Sequence, residues 1–150
     1  TGDEWMATRG GGAFLNGKPL GDERPKASIE ILALEATLAE LVADYAPALA
    51  DFGARLRIMG SCALSLCHFA AGRIDAVCTV RAVRSVDIAA AQLLALEQGL
   101  AIHLTDGRLL ADVPLTLGYR SRLVAAADPE LCEQLACALR SIVPNEAQGS

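Results

Sequence analysis

Apolar residues recur along this chain in two rhythms, and the switch from one to the other marks out its elements. Ile29 to Leu34 reads as a strand, after which Leu38, Leu41, Val42, Tyr45 and Leu49 fall at helical spacing within Thr37 to Ala50. Two more strand-helix units follow: Arg55 to Met59 with Cys62 to Ala71, and Asp75 to Val80 with Ile88 to Gln98, the last helix stopping at Gly99. Strands are predicted at Ala101 to Leu104 and Leu123 to Ala126. A final helix is predicted from Pro129, a favoured first-turn residue, to Ile142. Near the start, Trp5 to Ala7 reads as a strand, and Asn16-Gly17 between apolar residues is a strong hairpin signal within residues 10 to 21, with a loop following to Lys26. The expectation is an α/β fold: a mixed sheet with helices on both faces plus an N-terminal β-hairpin. One subdomain is expected over residues 1–144, with a disordered tail over 145–150.

Composition narrows the function classes. The chain has 150 residues, of which 53% are hydrophobic and 4% aromatic, so its core is aliphatic. No apolar run reaches the roughly 18 residues a membrane span needs, so no membrane partner is expected. A net charge of -5 argues against nucleic acid, whose phosphates call for a basic face. The five cysteines have spacings that match neither a zinc site nor a secreted disulfide framework, and point to reduced thiols in a cytoplasmic protein. The chain opens without Met and inside a predicted strand, which points to an N-terminal part outside this sequence.

Two helix starts are candidates for chemistry. Gly60-Ser61-Cys62 stands at a strand exit, where free N–H groups and the helix dipole favour an anion or a hydroxyl-rich ligand; Ser61 reads equally as a plain N-cap. Asp87 precedes the alanine-rich helix and is either its cap or a hard oxygen ligand for Mg²⁺. If the strands before them run parallel, both loops share the sheet edge where such folds bind ligands. Glu35, Glu40 and Asp44 read as the solvated face of the first helix. His68 lies about 240° around the helix from Cys62, too far for a nucleophile-base pair, and reads as a surface or core histidine. Gly10-Gly11-Gly12 lacks dinucleotide-loop spacing, and Asp106-Gly107 reads as a turn.

Gly10 to Leu20, Arg57 to Leu64, Ala70 to Ala76, Val86 to Ala90 and Val124 to Ala126 resemble, in order and spacing, the GxGAFxNGxxL, RxxGSxAL, AxGRxDA, WDxAA and VAA segments of the inositol monophosphatase family. The likeness covers nearly the whole chain and corresponds to the C-terminal half of the layered αβαβα fold. It implies Mg²⁺-dependent hydrolysis of inositol phosphate or a related sugar phosphate monoester. It also implies Asp87 as a metal ligand and Gly60, Ser61 and Cys62 as the loop against the substrate ring. Two departures put the substrate in doubt: Val86 stands where many members have Trp, and Val80 where a substrate-binding Glu is usual. The spacing of Arg81 and Arg84 is instead similar to archaeal-like and bacterial relatives. The GEE and DPxDGT motifs, which supply most metal ligands, do not occur in this sequence. No complete catalytic set is therefore expected in this chain, Mg²⁺ is expected in the full-length parent and not in the chain alone, and the chain alone is expected to be inactive. Its expected partners are the small sugar or inositol phosphate, a second copy of itself, or the N-terminal half. The other reading is a noncatalytic dimerisation or regulatory module derived from the same fold.

Overall fold

The computed structural model describes residues 2–53 and 55–142. Strands β1 (Trp5–Thr8), β2 (Gly12–Leu15) and β3 (Lys18–Pro19) form a three-stranded antiparallel sheet. Asn16 and Gly17, with φ of 52° and 75°, make the two-residue turn that pairs Leu15 with Lys18. Both residues sit in the left-handed region that such a turn demands, which is why Asn-Gly serves there. Next come β4 (Ile31–Glu35), α1 (Ala39–Leu49), β5 (Arg55–Arg57), α2 (Cys62–Ala70) and β6 (Ala76–Thr79). They are followed by β7 (Val83–Arg84), α3 (Ser85–Glu97), β8 (Ala101–Leu104), β9 (Arg120–Ser121), β10 (Leu123–Ala126) and α4 (Pro129–Ser141).

The main sheet has the order β5-β4-β6-β10-β8, with β5, β4 and β6 parallel and β10 antiparallel to both its neighbours. Strand alternation sends successive side chains to opposite faces. Leu32, Leu34, Ala76, Cys78, Val124 and Ala126 pack with Tyr45, Leu49, Leu135 and Leu139 of α1 and α4. Ala33, Val77, Leu123 and Ala125 pack with Leu66, Phe69, Leu94 and Ala95 of α2 and α3. The hairpin sheet lies against α3, giving layers in the order α, β, α, β. The mixed sheet, the helices on both faces and the N-terminal hairpin match the sequence expectation, whereas the short ribbon of β7 and β9 was not foreseen. Those strands are two residues each, too short to show a period. Predicted residues 145–150 of the tail lie outside the described residues.

The Ala70 to Ala76 segment is architectural. Gly72 has φ +70°, and a Cβ there would stand 2.6 Å from the Glu23 carbonyl carbon and 2.7 Å from the Arg24 nitrogen. Three residues on, the buried Asp75 carboxylate accepts hydrogen bonds from the backbone N–H groups of Lys26, Glu30 and Ile31, each at 2.9 Å. Arg73 lies over the Trp5 ring, 5.7 Å from its centroid, and His68 meets the same ring edge-on. Burial and the neighbouring Arg73 hold the His68 pKa below its usual value. Gly72→Ala meets both a backbone clash and an unfavourable φ. It is expected to cost roughly 2–4 kcal/mol in urea unfolding, a loss that Gly107→Ala, at a turn with open space, will not reach.

Candidate functional site

Because β4, β5 and β6 run parallel, their exits open on one edge of the sheet, and the chain beyond each exit contributes to one cleft. Glu35, Ala36 and Thr37 come from the end of β4, Ile58 and Gly60 to Ala63 from the turn between β5 and α2, Ala82, Val83 and Arg84 from the run into and along β7, and Asp87 and Ile88 from the first turn of α3. Arg120 of β9 completes the rim of a cleft of about 500 Å³. Gly60, Ser61, Cys62 and Asp87, the residues singled out from sequence, therefore line one cavity.

Each is held by an identifiable local cause. Gly60 has φ +75° and turns the chain out of β5. Ser61 is the N-cap of α2, its Oγ accepting from the Leu64 N–H at 3.3 Å, so the capping reading of this residue holds whatever else it does. Cys62 opens the helix with its thiol pushed up to about 12 by burial and the nearby Glu35 charge, and it is a neutral, poor nucleophile. Asp87 is not a cap: α3 begins two residues before it and Arg84 occupies the N-cap position. Asp87 lies in the first turn, where its charge complements the dipole, and both of its oxygens accept from the Arg84 guanidinium, at 2.7 and 3.0 Å.

Two site residues escaped the sequence reading. Glu35 does not belong to the solvated face of α1. It is the last residue of β4 and fully buried, with Oε1 accepting from the Met59 N–H at 2.8 Å and from the Ser65 Oγ–H at 2.7 Å. The helix starts at Ala39 rather than Thr37, which leaves Glu35 in the sheet. Arg120 was missed because β9 has no periodic signal; it sits directly across from Arg84 in the β7–β9 ribbon. Val80, in contrast, packs among the residues between the sheet and helices α1 and α4, away from the cleft. The Gly10 and Gly12 N–H groups are already taken by the Glu97 carboxylate, at 2.9 and 3.0 Å.

Among the described residues, no group of three or more His, Cys, Asp or Glu side chains could hold a metal ion. Mg²⁺ demands near-octahedral oxygen coordination, and Asp87 is the only exposed carboxylate among the cleft-lining residues, so these residues do not by themselves fit the ion.

The cleft at the exits of these strands carries one exposed carboxylate and a helix-capping serine on a layered α/β frame. The family model described as inositol monophosphatase family matches residues 1–143, and the chain belongs to that family. It is 35% identical over 136 residues to a fructose-1,6-bisphosphatase/inositol-1-monophosphatase of Methanothermobacter thermautotrophicus, covering 90% of this chain and 48% of that protein. A solved inositol monophosphatase–fructose 1,6-bisphosphatase is 26% identical, with a TM-score of 0.75 over 91% of this chain and 52% of that one. A dual IMPase/NADP phosphatase solved with NADP and Ca²⁺ is 25% identical, with a TM-score of 0.72 over 93% of this chain and 51% of that one. The chain spans about half the length of the relatives it matches.

The raised thiols give a test of the packing, Cys62 beside the cleft and Cys78 and Cys132 in the core between the sheet and helices α1 and α4. Burial pushes Cys62 and Cys132 up to about 12 and raises Cys78 further, from an ordinary value of 9.0. Above pH 9 the unfolded thiols release protons that the folded ones retain, so stability is full below pH 9 and falls as pH rises towards 12. Urea titrations from pH 8 to 11 are expected to show that decline, with a shallower slope in Cys78→Ala after allowance for its lower baseline.

Proposed function

We propose that this chain is the ligand-facing part of a Mg²⁺-dependent phosphoric monoester hydrolase acting on inositol phosphate or a related sugar phosphate, and that the 150-residue chain alone does not turn over substrate. The observation that carries the reading is the convergence of Asp87 with Gly60, Ser61 and Cys62 on one cleft. Asp87 would supply one carboxylate to a metal site whose other ligands lie outside this chain. When bound, the metal would neutralise charge on the phosphoryl group, the chief need of phosphoryl transfer. The pair of Asp87 with Arg84 is exposed, at 47% and 42%, and such pairs are worth about 0–1 kcal/mol, so little holds the carboxylate from a stronger ligand. Arg84 and Arg120 bring positive charge to the rim, as an anionic substrate requires. The N-terminal end of α2 offers its dipole and free N–H groups to the same space. The phosphatases that the chain resembles were solved with Mg²⁺ and phosphate and with D-inositol-1-phosphate, which supports the substrate class and the ion.

A second reading, the noncatalytic dimerisation or regulatory module, is favoured by one observation. Trp5, Met6, Ala63, Cys67, Leu93 and Leu94 line an apolar groove beside α2 and α3, and Met6 is 49% exposed. A second copy of the chain or a metal-bearing half would cover such a surface.

Magnesium-dependent phosphate release from inositol 1-phosphate, measured for the 150-residue chain and for the full product of its gene, separates the two. Turnover is expected only in a product that carries the GEE and DPxDGT motifs, and Asp87→Asn in that product is expected to lower kcat/KM by about 100-fold or more. Turnover by the 150-residue chain alone would overturn the proposed inactivity. A product with both motifs and no turnover would overturn the enzyme reading and leave the binding module.

A further inference from the structure

Glu35 is a buried carboxylate that half of its surroundings ignore. Oε1 takes both of its donors, the Met59 N–H and the Ser65 Oγ–H, while Oε2 is buried without a hydrogen-bond partner. Burying a carboxylate is expensive, and an apolar side chain of the same volume would fill this place at lower cost. A carboxylate kept for stability would also be expected to use both of its oxygens. What it does hold is specific: Met59 lies one residue before Gly60 and Ser65 three residues after Cys62, so a single oxygen straddles the turn that faces the cleft. No packing neighbour shapes that turn: Gly60 holds φ +75° through its own backbone, and a Cβ on it would meet nothing within 4 Å. Directly after Glu35 the backbone of Ala36 is in the left-handed region, φ 52°, a costly conformation for a residue with a side chain and one that aims the chain along the cleft wall.

We propose that Glu35 is the positioning residue of the ligand-facing turn: one carboxylate oxygen ties Met59 to Ser65, fixes Gly60-Ser61-Cys62 against the cleft, and so sets the affinity for a sugar phosphate bound against that turn. The inference rests on the reading of that turn as the surface against the substrate ring.

Glu35→Met removes the acceptor while filling the space, and Glu35→Gln keeps an acceptor oxygen. In the 150-residue chain, Glu35→Met is expected to keep or raise the Tm, yet to speed amide exchange over residues 59–64 by about tenfold, with Glu35→Gln within about threefold of the parent. In the full gene product, Glu35→Met is expected to raise KM by about tenfold with kcat within about twofold, and Glu35→Gln to restore most of the loss. A merely structural carboxylate would move Tm and leave KM and local exchange alone; that result overturns the proposal. Should Glu35→Met fail to fold, Ser65→Ala decides: faster exchange with a KM raised about threefold supports the tie, and unchanged exchange and KM overturn it. Absence of turnover in the parent gene product would count against the phosphatase reading, whereas unchanged exchange in Glu35→Met counts against the tie whatever the activity.

Discussion

The main sheet depends on the Asp75 carboxylate. Three backbone N–H groups from the segment entering β4 converge on it at the point where β6 begins, and Gly72 lets the loop through Glu23 and Arg24 pass within contact of the same turn. Charge-assisted bonds of this kind are the stronger ones, and three on one buried carboxylate leave the incoming strand a single register against its parallel neighbour. That register pairs Leu34 with Cys78 and Glu35 with Thr79, so both strands exit at the same level. The cleft is thus a consequence of a junction at the opposite end of the strands.

From that register the chemistry follows with few independent choices. The parallel run of β5, β4 and β6 puts three exits on one edge, and each exit carries a device suited to a loop: a left-handed alanine, a left-handed glycine, a two-residue ribbon. The antiparallel β10 closes the core on the far side without adding an exit to that edge, and its neighbour Arg120 reaches the rim only through β9. The result is a cleft with one exposed carboxylate, two guanidinium groups and a capped helix end.

Much of this was legible in the sequence because it is written in short-range terms. Asn16-Gly17, Gly99 and Pro129 mark their turn, stop and start through backbone preference alone, and β8 and β10 fall where they were expected, at Ala101–Leu104 and Leu123–Ala126. Gly60, Ser61, Cys62 and Asp87 could be placed near one another because strand-helix alternation implies the shared edge. Glu35 could not. A charged residue two positions before a predicted helix reads as solvated, and only the three-dimensional fit of Met59 and Ser65 around it shows that it is interior. From sequence Asp87 reads as a possible cap because local rules start the helix at Ile88; the preceding Ser85 is buried and bonded to Pro114 and Thr116, contacts some thirty residues away that no local rule supplies.

Helix α3 joins the cleft to the hairpin layer. Asp87 stands in its first turn and Glu97 in its last, a span of roughly 15 Å of uninterrupted hydrogen-bonded backbone. Glu97 grips the glycine turn between β1 and β2, and Trp5, Met6 and Ala7 of β1 share a groove with Asp87, so the hairpin layer meets α3 at both ends. One helix thus carries both the cleft carboxylate and the anchor of the hairpin turn, so the two layers share a single backbone element.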